Sequence, residues 1–440
     1  MTERDPEHEA RAVAAIARAF SGIPYYVQKE RTVPSVTTPL KEVLAGAPLL
    51  FKKHLRMTLP KHWVPAGRDA KAELASGELE LVETSGSTEE RLRILWDKGW
   101  WLRQEARAMR TNAVIDAAMS GALGAYKEAV LTTPACGLGT CHRGELSFEE
   151  RIEDPHLFLN MRPDPMFWRP DDMARMLDEI TKHATIGMES DPVYLAVLAR
   201  HAVETSRKID VRGFIQLTYA FTTRAHLRAI RRAYAGPLFQ LYGASEVGVL
   251  FMEGEDGLLH HSPLTTHVEL LRAKVPTPGA EDVALVVVTS LDRLAQPLVR
   301  FVVGDLVQVK ESGPRRFTTV APLASIEGRV QDALFTPKGQ LVTTGAIDRA
   351  LGSIDELAQF QVNQPSPDKV DADVLLTAEG GDETVARVRE ALTPLCGDAT
   401  LSVRKVTAIA AEPSGKFRVV RRHFPIDFAR CFEGCEGVTP

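Results

Sequence analysis

GFIQLTYAFTTRAHLRAIRRAYAGPLFQLYGASE, residues 213–246, decides the fold. Its two ends, Gly213–Tyr219 and Leu238–Tyr242, are short apolar and aromatic runs of the kind that form strands. Between them, Arg224–Ala235 sets Leu227, Ile230 and Tyr234 at helical spacing, with arginines filling the rest of the turn. The arginines therefore read as a solvated helix face rather than a nucleic-acid site. Strand, helix and strand in this order point to parallel pairing, because parallel neighbours need a crossover and a helix supplies it.

The alternation continues on both sides. Upstream, Leu79–Glu83 reads as a strand followed by a polar turn. A helix through Trp96–Ser120, the strand Ala129–Thr133 and the helices Met173–Lys182 and Pro192–Arg207 come next. Residues 1–75 read as helices and loops. Downstream of Glu246 the character turns to β, with His267–Arg272, Val283–Ser290, Leu298–Val302 and Leu306–Lys310. From about Gly328 a smaller α+β segment follows, with strands at Asp332–Thr336, Val370–Leu376 and Leu401–Val406 and a helix at Glu383–Leu392. The expected fold is α/β: a large N-terminal α/β domain with a β-rich subdomain over residues 1–327, and a small α+β C-terminal domain over 328–440.

A chain of 440 residues exceeds one ordinary hydrophobic core. Lys and Arg number 53 against 58 Asp and Glu, a net charge of −5, which gives no footprint for nucleic acid. The helix-like Ala10–Phe20 carries Arg11 and Arg18, so it does not read as a signal peptide. The apolar run Ala284–Val288 is too short to span a bilayer. Five scattered cysteines suit a reduced, cytoplasmic protein. Cys136, Cys141 and His142 form a loose group without a second ligand pair. His260, His261 and His267 lack a four-ligand zinc set and read as surface or structural histidines.

Several short stretches carry chemistry. Thr84-Ser85-Gly86-Ser87-Thr88 is a hydroxyl-rich turn after a strand, suited to cradling a polyphosphate; an ordinary strand-to-helix turn has the same look. It lacks the Gly-x4-Gly-Lys spacing of the P-loop. Tyr242-Gly243-Ala244-Ser245-Glu246 ends a strand with an aromatic that can stack on a purine and a carboxylate that can hold Mg²⁺. A core tyrosine and a surface glutamate are the plainer alternative. Asp305 follows a strand and Gly304, and can accept two bonds from a ribose diol or serve as a turn residue. Lys416 follows a Pro/Gly turn, as a mobile or a merely solvated cation would.

In order and spacing, these stretches resemble the adenylate-forming superfamily of acyl-CoA synthetases, peptide-synthetase adenylation domains and luciferases. Tyr242–Val247, the run Pro297–Phe301 into Gly304-Asp305, and Gly415–Val419 are most similar to the phenylacetate-CoA ligase and coenzyme F390 synthetase branch. The resemblance implies an acid–thiol ligase that makes an acyl-AMP from ATP and a carboxylic acid and then transfers the acyl group, with CoA as acceptor and an aryl or arylacetic acid as substrate. It implies ATP binding by Thr84, Ser85, Gly86, Ser87, Thr88, Tyr242, Gly243, Ser245, Asp305 and Arg329. Tyr242 would stack on adenine, Glu246 would bind Mg²⁺, and Lys416 would bridge the carboxylate and the α-phosphate. Gln331 would mark a hinge about which the C-terminal domain swings. Gly339 would line the acceptor tunnel. A carrier-protein thiol or an amine is the alternative acceptor, and a second copy of the chain a candidate partner. Glu89 stands where the family's phosphate loop has glycine, and Gln340 where its tunnel has asparagine. A non-catalytic nucleotide-binding homologue is the reading from another class.

Overall fold

The computed structural model describes residues 5–56, 59–84, 92–133, 146–162, 164–310, 320–412 and 414–436. Twelve strands form one sheet. In its centre Glu128–Leu131, Gly187–Ser190, Phe214–Leu217 and Leu238–Ala244 run parallel, as the opening stretch requires. Leu238–Ala244 then turns back antiparallel into Gly248–Glu253, and the sheet continues through Leu259–His261, Leu323–Arg329, Phe301–Val309, Val283–Ser290 and Thr266–Arg272. The β-rich part is thus an extension of the parallel sheet.

Helices cover both faces of the parallel strands, as such sheets demand. On one face Pro170–His183, Pro192–Glu204 and Arg224–Ala233 bury Met176, Leu195, Leu198 and Ile230 against Met188 and Ile215. Asp191 caps the second of these helices by accepting from Val193 N at 2.8 Å, and Pro192 suits its first turn. On the other face Trp100–Met109 and Ala113–Gly121 pack on Phe214, Phe239 and Leu241.

Two expectations change. The single helix through Trp96–Ser120 is a strand, Arg93–Asp97, and two helices. Gly99 at φ 62° ends the strand segment. Asn112 starts the second helix by accepting from Val114 N at 2.9 Å and Ile115 N at 3.1 Å. Asp97 is held outside any helix by Arg68 at 3.1 Å and by Leu294 N and Ala295 N, each at 3.1 Å. Further on, the two strands expected over 298–310 are one, Phe301–Val309, bent at Gly304 with φ 94° where its register to Val283–Ser290 shifts. Such a bulge re-aims the next side chain, Asp305.

The C-terminal part has a four-stranded sheet in the order Thr400–Val406, Lys369–Leu376, Leu357–Ser366, Val420–Arg422, with the helices Thr344–Leu351 and Asp382–Cys396. It has its own core around Ile347, Phe360, Val374 and Leu392. The arginine-rich helix fastens it. Arg228 donates to Gly352 O at 2.6 Å and Ile354 O at 2.7 Å, and Arg200 donates to Ala358 O at 2.7 Å. The expectation of a solvated arginine face is therefore wrong for Arg228, which closes an internal interface. No helix among the described residues is long and apolar enough to cross a membrane.

His261 is buried, not superficial. Its Nε2 lies 3.0 Å from Thr266 Oγ1, and His8 and His267 lie close by, 3.1 Å apart. Burial, then the neighbouring histidines, holds its pKa well below the ordinary value. Unfolded, it would take a proton below about pH 6.5, so the fold must lose stability as pH falls through that point. Relative to His261→Gln, the wild type should lose about 2 kcal/mol between pH 7 and pH 5. Urea unfolding of both proteins at the two pH values measures this; a parallel loss in both refutes it.

Candidate active site

A cavity of about 270 Å³ opens where the parallel strands end. Ligands of open α/β sheets lodge at such a crevice, beyond the carboxyl ends of the strands. Thr132 and Thr133, Thr218–Thr222 and Gln240–Glu246 form its floor and wall. Asp305, Gly328, Arg329 and Asp332 reach it from the β-rich end, and Lys416–Val420 close over it from the C-terminal part.

The sequence-derived candidates meet here. Thr84, Tyr242, Gly243, Ser245, Glu246, Asp305, Arg329 and Lys416 all line the cavity. Ser85, Gly86, Ser87 and Thr88 lie outside the described residues, as do Glu89, Cys136, Cys141 and His142. The ends of that loop are nonetheless placed, because Thr84 N donates to Leu92 O at 2.8 Å between the antiparallel strands Leu79–Glu83 and Arg93–Asp97. Gln331 and Gly339 are not among the cavity residues. Gly339 sits in a turn at φ 77°, and a Cβ there would come 2.8 Å from Arg430 Nη2.

Asp305 is gripped from two sides. Tyr242 donates its hydroxyl to Oδ2 at 2.8 Å, and Arg329 Nε stands 3.3 Å from Oδ1. Tyr242 also stacks on Phe251, with ring centres 5.9 Å apart. Burial and the Asp305 charge push its phenol well above the usual value, so it stays a donor. Gly243 has no room for a side chain: a Cβ would meet Gly248 O at 2.6 Å.

Glu246 pairs with Lys52 at 3.0 Å. Burial, the largest single influence, works against its charge, but Lys52, a backbone hydrogen bond and Arg329 together carry the carboxyl below its usual value. Arg293 donates to the Glu246 carbonyl and stacks over Trp100, fixing the turn. Lys52 carried no signal in the sequence, where it is one of two adjacent lysines after the apolar run Leu49-Leu50-Phe51. Among the described residues no group of three or more His, Cys, Asp or Glu is arranged to hold a metal on its own. A cation there would need ligands from a substrate, as Mg²⁺ on phosphates has.

Lys416 reaches the cavity on a loop that Tyr194 ties down by donating to Gly415 O at 3.0 Å. Gly415 has φ 79°, and a Cβ would fall 2.1 Å from Thr133 Oγ1, so only glycine fits. Phe417 joins the core of the large domain. Asp332 holds the next turn through Arg418. Burial first, then the Arg329 charge, lowers the Lys416 pKa to about 8; Asp191, Glu246 and Asp305 pull it back up.

No protein-family model and no curated protein matches the chain in sequence. Solved structures do match in fold. A 2-hydroxyisobutyryl-CoA ligase in the postadenylation state, in complex with R3-HIB-AMP, superposes with TM-score 0.66 at 17% identity over 96% of this chain and 90% of that one. An anthranilate-CoA ligase with anthranoyl-AMP gives 0.51 at 13% identity over 78% and 65% of the two chains. ATP-bound MatB from Rhodopseudomonas palustris gives 0.51 at 14% over 77% and 66%. At these identities the likeness is one of fold.

The Lys416 amine should titrate near pH 8, and Arg329→Gln should raise that value by removing a like charge. NMR of the reductively ¹³C-methylated protein, assigned with Lys416→Arg, reads both. A Lys416 signal titrating with the surface lysines would show that the loop does not bury it.

Proposed function

We propose that this chain is an ATP-dependent carboxylic acid ligase that forms an acyl-AMP and passes the acyl group to a thiol, with CoA the foremost acceptor. One observation carries the reading: Lys416, from the C-terminal part, shares a cavity with the residues that the adenylate-forming motifs select in the large domain. The common fold with acid–CoA ligases holding acyl-AMP or ATP supports it.

The residues suit the parts. Asp305, already oriented by Tyr242 and Arg329, keeps lone pairs for a ribose diol. The Tyr242 ring, backed by Phe251, offers a surface for adenine. Glu246 is ionised, and its partner Lys52 is 40% exposed, so the lysine can turn to solvent or to a phosphate when a cation takes its place. Mg²⁺ bound there would offset charge on the departing pyrophosphate. The substrate carboxylate attacks the α-phosphorus, a new O–P bond forms, and pyrophosphate leaves with the bonding pair. Lys416 meets the charge that builds on the phosphoryl oxygens. Its lowered pKa means that the first half-reaction should weaken as pH rises above about 8.

Trp96, Trp101, Leu217, Phe221 and Val249 supply an apolar and aromatic lining, which favours an aromatic acid. Transfer would follow a turn of residues 328–440 about Gln331, which lies between the cavity residues Arg329 and Asp332, and would bring Gly339 to the acceptor path. A carrier-protein thiol is the second acceptor to test.

Lys416→Ala should lower acid-dependent pyrophosphate release about 100-fold. It should leave transfer from synthetic acyl-AMP to CoA nearly intact, because that step needs no charge relief at an attacked phosphorus. Both half-reactions are assayed in the variant and the wild type; equal loss in both would refute the role of Lys416.

A further inference from the structure

The cavity's inner wall carries carboxylates that none of these roles uses. Glu105, on the helix Trp100–Met109, and Glu189, in the strand Gly187–Ser190, both line it. Glu128 stands on the neighbouring strand, where Tyr126 donates to it at 2.9 Å. The Trp101 indole eases the charge on Glu105 and the Tyr219 hydroxyl that on Glu189. Among the described residues no lysine or arginine pairs with Glu105 or Glu189; His156 lies 4.0 Å from Glu128. Burial, then mutual repulsion, raises Glu105 well above a carboxylate's usual range and Glu189 to about 7; burial alone raises Glu128 to about 7.

An independent observation points to an absent partner. Gln216 sits in register with Glu189, on the same face of the sheet. It is wholly buried, yet neither its Nε2 nor its Oε1 has a hydrogen bond. Buried amides are rarely left so.

We propose that the acid activated here carries a cationic amino group, which Glu105 and Glu189 receive at the inner end of the cavity. The proposal rests on the ligase reading and refines its substrate. An ammonium would turn two uncompensated, half-buried carboxylates into ion pairs, whereas a neutral substituent leaves them to take up protons or repel. Geometry sets the spacing. Lys416 feels the charge of Asp191, the helix cap that follows the strand Gly187–Ser190, and Glu189 lies two residues earlier, roughly 7 Å deeper along the extended chain. The amine therefore belongs on the far side of a ring or a chain of several carbons from the reacting carboxylate. Trp101, Leu217 and Val249 would pack along that spacer.

ATP–pyrophosphate exchange with the full chain tests this, using pairs matched in shape: 4-(aminomethyl)benzoate against 4-ethylbenzoate, and 6-aminohexanoate against heptanoate. At pH 8 the amino member of at least one pair should exceed its partner tenfold or more in kcat/KM. The ratio should shrink as pH falls to 6 and the carboxylates take up protons. In Glu105→Gln/Glu189→Gln it should fall to near one. Ratios at or below one in the wild type overturn the proposal, as does an unchanged ratio in the double variant. Should 4-(hydroxymethyl)benzoate equal its aminomethyl counterpart, the charge argument is overturned too. If the double variant does not fold, the wild-type ratio and its pH course decide alone. Exchange with the alkyl acids but not the amino acids sinks only the amino proposal; exchange with no acid at all sinks the ligase reading beneath it.

Discussion

Charge gathered in a partly dry cavity is the constraint on which the rest of this structure depends. Asp305, Glu246 and Asp332 face Arg329, Lys52, Arg418 and Lys416 across it. Each ion loses hydration worth several kcal/mol, so each must find its opposite nearby. The partners come from distant parts of the chain. Lys52 belongs to the N-terminal helices, Asp305 and Arg329 to adjacent strands, and Lys416 and Arg418 to the last tenth of the sequence. The balance exists only when the C-terminal part lies over the sheet. The bulge at Gly304, the Gly415 turn and the grip of Tyr242 on Asp305 hold those charges in place.

Much of this was legible in the sequence, because local chemistry wrote it there. Val283–Ser290 and the parallel strands declare themselves by apolar runs, and Thr266–Arg272 and Asp382–Cys396 fall within a few residues of expectation. Tyr242, Asp305 and Lys416 were singled out by turn glycines beside them, and those glycines prove to be places where a Cβ would collide or where a bulge bends the strand. What escaped depends on contacts across the chain. The strand Leu357–Ser366 is missing from the sequence reading because Gln359, Gln361, Asn363 and Gln364 break its apolar pattern. Gln364 is nonetheless buried, its amide exchanging hydrogen bonds with the Phe335 backbone at 2.9 Å each way. Trp96 and Asp97 look helical beside Trp100 and Trp101, and only Arg68, the backbone at Leu294 and Ser245 show why they are not.

The site divides in the same way. Motif residues form the outer, charge-balanced end, where a nucleotide is expected. Glu105 and Glu189 line the inner end, with Glu128 on the neighbouring strand, and each stands alone in an unremarkable stretch. No spacing rule joins positions 105, 128 and 189; the register of parallel strands and the helix across them does. Chemistry common to a fold can be read from turns, whereas selectivity is written in the walls, where sequence neighbours are not spatial neighbours.

The fastening of the C-terminal part has one more consequence. Arg200 and Arg228 grip the carbonyls of Ala358, Gly352 and Ile354, which are dipoles and not ions. Dissolved salt screens attraction between net charges, and touches a short bond to a carbonyl far less. Salt can weaken the exposed Arg228–Asp355 pair, 3.4 Å apart, that lies beside these bonds, but it leaves the bonds to the carbonyls as the durable part of the interface.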